Sequence, residues 1–216
     1  MIRLSLPADG ADPFTILCLG AHSDDIEIGC GATLLHLKKA GVRLKIHWIV
    51  FSAPGPRAEE ASVAADLFTK GCEAKVVLKQ FQDGFLPYSG SDVKRAFEDL
   101  KAEVSPSLIF THWGGDAHQD HRLLSELTWN TFRDHLILEY EIPKYDGDLG
   151  RPNVYVPLEA PLFEEKIDYL LKAFQSQRSK RWFDRNTFLG LMRIRGMECN
   201  AASGYAESFH CRKMIL

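Results

Sequence analysis

Across the first two-thirds of the sequence, short apolar runs alternate with stretches of helical periodicity, and few folds satisfy that alternation. FTILCLG (14–20), VRLKIHWIVF (42–51), AKVVLKQF (74–81) and SLIFTH (107–112) have the length and character of strands. Between them, residues 29–40 read as a helix stopped by Gly41. Residues 57–70 place Ala61, Ala64, Ala65 and Phe68 on one helical face ahead of Gly71. From Ser91 as N-cap, Val93, Ala96, Phe97, Leu100 and Val104 keep helical spacing, and LLSELTWNTFRDHL (123–136) reads as a further helix. Such βαβ units predict an α/β fold, a mostly parallel sheet with helices on both faces and a ligand site beyond the carboxyl ends of the strands.

The last third is less regular. DGDLGRPN (146–153) is turn-rich, VYVPL (154–158) is a short strand, and Phe163, Ile167, Leu170, Leu171 and Phe174 form an amphipathic stripe. At 216 residues the chain is expected to be one domain, 1–216, with 136–190 walling the substrate site. A net charge of -3 gives no reason to expect nucleic acid or an anionic membrane as partner. No apolar run approaches a membrane span, and MIRLSLPADG does not read as a secretory leader. Five cysteines without a CxxC spacing suit reduced thiols in a cytoplasmic setting. Oligomeric state has no signature in the sequence.

Two polar clusters fall at strand ends that a parallel sheet brings to one edge. His22-Ser23-Asp24-Asp25 follows the first strand, and Asp116-Ala117-His118-Gln119-Asp120-His121 follows SLIFTH. Adjacent aspartates repel, and a divalent cation offsets that repulsion. His22, Asp25 and His121 make a two-histidine, one-aspartate set with an open position, the arrangement of catalytic zinc, and one that ferrous iron or another divalent metal also accepts. Asp24 then faces the water. Gly29-Cys30-Gly31 begins like a dinucleotide fingerprint, but Leu34 stands at the third glycine, and Asp24 and Asp25 would repel a pyrophosphate. The glycines read instead as a tight turn with close packing. Arg57, opening a helix, suits a substrate phosphate or hydroxyls. Arg178, Lys180, Arg181, Arg193 and Arg195 offer further anion contacts, and EYEIPKYDGD (139–148) offers groups for sugar hydroxyls.

GAHSDDIEIGCGATL resembles the AHPDDxxxGxGGT signature of the LmbE-like, PIG-L type N-deacetylases, and GGDAHQDH resembles their D-x-H-x-D-H element. Arg57-Ala58-Glu59-Glu60-Ala61 and RGMECNAASGYAESF (195–209) are similar to two further family elements in the right order, while Ser23 replaces the usual proline. The resemblance implies a Rossmann-like three-layer fold. It implies zinc ligands at His22, Asp25 and His121, Asp24 as general base, His118 stabilising the oxyanion when protonated, and Asp120 orienting His118. The implied activity is removal of an N-acetyl group from an N-acetylglucosamine-type sugar or conjugate. A metal-dependent hydrolase of another bond, such as a phosphoester, and a sugar-binding module without turnover are the alternatives.

Overall fold

A computed structural model describes residues 12–215 of the chain. The first half runs β1 (Phe14–His22), α1 (Asp25–Lys39), β2 (Leu44–Ser52), α2 (Pro56–Thr69), β3 (Glu73–Leu78), α3 (Gly90–Glu103), β4 (Leu108–His112) and α4 (Gln119–Thr131). It continues through β5 (Leu136–Tyr140), β6 (Val154–Pro157), α5 (Ala160–Ala173), α6 (Arg185–Glu198) and β7 (Ala206–His210). The strands form one sheet in the order β3-β2-β1-β4-β5-β7-β6. Strands β1 to β5 are parallel, and β7 enters antiparallel between β5 and β6.

Alternation along β1 divides the core into two layers. Ile16 and Cys18 join one cluster with Phe68 of α2, Ile167 of α5 and Phe188 of α6. Leu17, Leu19 and Ala21 join the other with Phe97 of α3 and Leu124 of α4. Side chains two apart share a face of a strand, so helices cover both sides of the sheet. This is the expected Rossmann-like three-layer sandwich. Among the described residues no helix is long and apolar enough to cross a membrane.

Several local expectations are corrected. Helix α1 begins at Asp25 rather than residue 29, because a helix N-terminus accommodates carboxylates in its first turn. Gly29 and Gly31 therefore lie inside a helix and make no turn. Their place is close packing: a Cβ at Gly29 would sit 2.3 Å from the Tyr140 ring, and one at Gly31 2.5 Å from Phe68. Helix α3 starts at Gly90 with Ser89, not Ser91, at the cap. LLSELTWNTFRDHL divides: α4 ends at Thr131, and Leu136 already belongs to β5. Strands β5 and β7 and helix α6 were not foreseen, since β7 pairs with strands distant in sequence and three arginines interrupt the apolar stripe of α6.

The sheet order reverses between β1 and β4, whose parallel chains lead to β2 on one side and β5 on the other. A crevice opens at such a switch point beyond the carboxyl ends of the strands. His22 and His112 are the last residues of these two strands.

Candidate active site

Only Ser23 and Asp24 separate the end of β1 from the start of α1. The His22 amide donates to Asp25 Oδ2 at 2.6 Å, so the first carboxylate of the helix turns back over the strand end. The helix dipole and the surrounding imidazoles are what allow two buried aspartates side by side. Burial works against charge on Asp25, but His121, His112 and His22 outweigh it and hold its pKa well below the usual range. Burial and then the Asp25 charge push Asp24 the other way, upward, with Arg57 opposing.

The second cluster is built by the turn from β4 into α4. His118 caps α4, its Nδ1 accepting the Asp120 amide at 3.2 Å. One turn into the helix, His121 Nδ1 meets Asp116 Oδ2 at 2.9 Å, and Lys144 lies 2.9 Å from Asp116 Oδ1. A carboxylate only accepts, so the His121 proton sits on Nδ1 and Nε2 keeps its lone pair. His22 is the mirror case. Its Nε2 lies 3.2 Å from both Asp120 Oδ2 and Asp83 Oδ1, which leaves the Nδ1 lone pair free.

Three lone-pair atoms then face one another across the crevice. His22 Nδ1 is 3.1 Å from His121 Nε2 and 3.4 Å from Asp25 Oδ2, and His121 Nε2 is 3.6 Å from Asp25 Oδ2. A tetrahedral ion with bonds of about 2.0–2.1 Å has ligands about 3.3 Å apart, so these residues fit a divalent metal. The surroundings favour positive charge as well: burial opposes a proton on His22, yet Asp25, Asp120 and Asp83 raise its pKa well above 6.5. Burial and His112 lower His121 to about 4. Among the described residues, three groups of side chains able to hold an ion overlap this triad without coinciding with it: His22, His118 and His121; His22, Asp83, His118 and Asp120; and Asp25, His112 and His121.

Asp24 and Arg57 stand beside this triad. Arg57, in the first turn of α2, donates to Asp24 Oδ1 and Asp83 Oδ2, each at 3.0 Å. Asp24 Oδ2 is buried with no hydrogen-bond partner among the described residues. Asp120, expected to orient a protonated His118, engages other groups in this structure. The Asp120 carboxylate accepts the Gly84 amide at 2.7 Å and the Leu86 amide at 3.1 Å and approaches His22, while the His118 ring accepts from the Asp120 backbone amide. Burial and the His22 charge lower the His118 pKa, against a standing positive charge on that ring.

Sequence reasoning assigned no role to Asp116 and none to Asp83. Asp116 stood in the quoted cluster, two residues before His118, and that position was its signal. Asp83 stood in an Asp-Gly pair that reads as a turn, and nothing local distinguished it. His112, the last residue of β4, is fully buried, accepts the Ala21 amide at 3.0 Å and stacks on His121 at 3.8 Å between centroids. Other candidates are engaged structurally. Arg195 is buried against Glu141 at 2.9 Å, so it is no anion contact, and Glu139 holds the Gly114 amide and the Trp129 and Arg212 side chains. Trp113 stacks on His210.

A family model described as PIG-L, GlcNAc-PI de-N-acetylase, matches residues 17–132. A protein of Escherichia coli K12, described as the uncharacterized deacetylase YaiS, is 32% identical over 168 residues, covering 73% of this chain and 89% of that protein. The N,N'-diacetylchitobiose deacetylase of Pyrococcus horikoshii superposes with a TM-score of 0.67 at 22% identity, over 93% of this chain and 84% of that one. The 4-carboxy-2-hydroxymuconate hydratase GalB of Pseudomonas putida KT2440 superposes with a TM-score of 0.73 at 16% identity, over 94% and 97%. At such identities the two structures share the fold alone, and a hydratase among them means that the fold does not dictate the reaction.

Proposed function

The chain belongs to the PIG-L, GlcNAc-PI de-N-acetylase, family of deacetylases, and from that premise we propose that it hydrolyses the N-acetyl group of an N-acetylglucosamine-type amino sugar or sugar conjugate. A divalent ion, zinc or ferrous iron, would be held by His22 Nδ1, Asp25 Oδ2 and His121 Nε2. The mutual spacing of those three atoms, beside an unpartnered Asp24 oxygen, is the observation that supports this reading most. When bound, such an ion supplies Lewis-acid polarisation of the carbonyl and a more acidic water.

The chain's own residues do the rest. Arg57 holds one oxygen of Asp24 and leaves Oδ2 to take a proton from the attacking water. The water oxygen bonds to the acetyl carbon, the C–N bond breaks, and Asp24 returns the proton to the departing amine, releasing acetate. A raised Asp24 pKa suits a group that must both accept and give that proton near neutrality. With Nδ1 of His118 accepting the Asp120 amide, the ring proton is on Nε2, where a neutral imidazole donates to the developing oxyanion. Asp120 and Asp116 act as positioning residues for His22 and His121. Arg57, between Asp24 and Asp83, meets the sugar hydroxyls. The domain is taken as 1–216, with 136–190 as substrate wall, whose loop after β5 reaches the site through Lys144. Five free thiols support a cytoplasmic setting.

Acetate release from a panel of N-acetylated amino sugars, free, nucleotide-linked and lipid- or polyol-linked, tests the proposal. We expect release that requires added metal and falls by more than about 10³ in Asp24→Ala, and by about 10²–10³ in His118→Ala. Wild-type rates in Asp24→Ala would remove the base assignment. Metal binding without release from any of these sugars would overturn the substrate class.

A further inference from the structure

We propose that Phe85 and Tyr88 form a platform for a second ring of the substrate, a sugar or aryl group attached beyond the acetylated sugar. The inference rests on the amino-sugar reading and adds where the remainder of the molecule lies. The segment carrying the two rings is fastened to the site itself. The Gly84 and Leu86 amides donate to the two oxygens of Asp120, the Gln119 side chain donates to the Gly84 carbonyl, and Asp83 meets Arg57 and His22. Leu86 is fully buried in the core, and the Tyr88 amide closes a turn on the Phe85 carbonyl at 3.0 Å.

On this fixed backbone the two aromatic rings stay outside. Phe85 is 47% exposed and Tyr88 77%, with ring centroids 5.7 Å apart and planes inclined at 50°. Adjacent exposed rings on a fixed frame mark a contact surface.

Continuity with the site decides the occupant. Asp83, two residues before Phe85, lies within hydrogen-bond reach of both Arg57 and His22, so the platform adjoins the triad and one extended molecule can engage both. Inclined, exposed rings suit the apolar C–H face of a pyranose or the face of an aryl group better than a flexible acyl chain. Two aromatic side chains supply about 150–250 Å² each, far below the roughly 800 Å² per partner of a stable protein interface.

The test measures binding separately from turnover. Calorimetric titration would use glucosamine, its β-1,4-linked dimer and an aryl glucosaminide, each without an acetyl group to hydrolyse, on wild type, Phe85→Ala, Tyr88→Ala and Tyr88→Phe. We expect either two-ring ligand to bind about five- to tenfold tighter than glucosamine, the gain disappearing in the alanine variants and returning in Tyr88→Phe. A gain with the dimer alone names a sugar as second ring, and one with the aryl compound alone names an aryl aglycone. Equal affinity for one- and two-ring ligands, or a gain that survives both alanine variants, would overturn the platform. So would a wild-type dimer in sedimentation that Tyr88→Ala converts to monomer, since the rings would then face a second copy. None of these readings depends on deacetylation, so the two proposals fail separately.

Discussion

At the scale of single residues, the site is a matter of where protons sit on imidazoles. Residue types and spacing suggested His22, Asp25 and His121 as a ligand set, because a cation offsets the repulsion of paired aspartates near two histidines. They could not reveal which ring nitrogen faces the centre. That is decided by three carboxylates, two from the 116–121 cluster and one from the loop after β3: Asp116 on His121, and Asp120 and Asp83 on His22. Such outer partners fix the tautomer and raise ligand basicity. Asp116→Asn keeps the shape but removes the charge that holds the His121 proton on Nδ1. We expect its metal affinity to fall about 10–100-fold in competition with a chelator, with a smaller loss of kcat at saturating metal. Unchanged affinity would mean that Asp116 serves the loop through Lys144 and not the metal ligand. His121→Ala removes a ligand outright and is expected to lose the metal.

At the scale of elements, the firmest readings were those whose signal is local. The apolar runs of β1, β2 and β4 and the stripe of α5 are visible over ten residues, and each formed close to its expected place. What escaped depends on residues far apart, and α1 is the plainest case. Glu207 of β7 accepts from the Ala32 amide at 3.0 Å and from the Thr33 amide and hydroxyl at 2.6 Å each. Lys166 of α5 donates to the Ile28 carbonyl at 2.5 Å and pairs with Glu207 at 2.6 Å. Ile28 and Ala32 are the partners an uninterrupted helix would join, so a buried ion pair is set into the ladder of the helix that carries Asp25. The resemblance of YAESF at 205–209 to a family element pointed at this glutamate, but nothing in the sequence tied it to a helix 175 residues earlier. Glu207→Gln would leave Lys166 charged and unpaired in the core. It should destabilise by about 3–5 kcal/mol, read by denaturant unfolding, and the double variant Lys166→Met/Glu207→Gln should recover part of that loss. A single variant within about 0.5 kcal/mol of wild type would show that the pair holds nothing.

At the scale of the whole molecule, the parallel half was readable because each βαβ unit repeats the same alternation. The far edge was not, because β7 returns from the end of the chain to lie between β5 and β6. The consequence for stability lies at the switch point. His22 ends β1, Asp25 opens α1 and His121 lies on α4, so one ion bound there joins elements from both core layers. The folded chain brings these three atoms together and the unfolded one does not, so the folded chain should bind metal far better, and binding then adds to stability by mass action. At a free metal concentration about 100 times Kd the gain is about 2.7 kcal/mol, and for a domain of this size each kcal/mol moves Tm by about 2–4 °C. Chelation should therefore lower Tm by about 5–10 °C, reversibly, in scanning calorimetry. His121→Ala should show no response to metal or chelator over the same range. A wild-type Tm that ignores both would mean that the folded chain holds no ion at this crevice, and the metal reading of the site would fall.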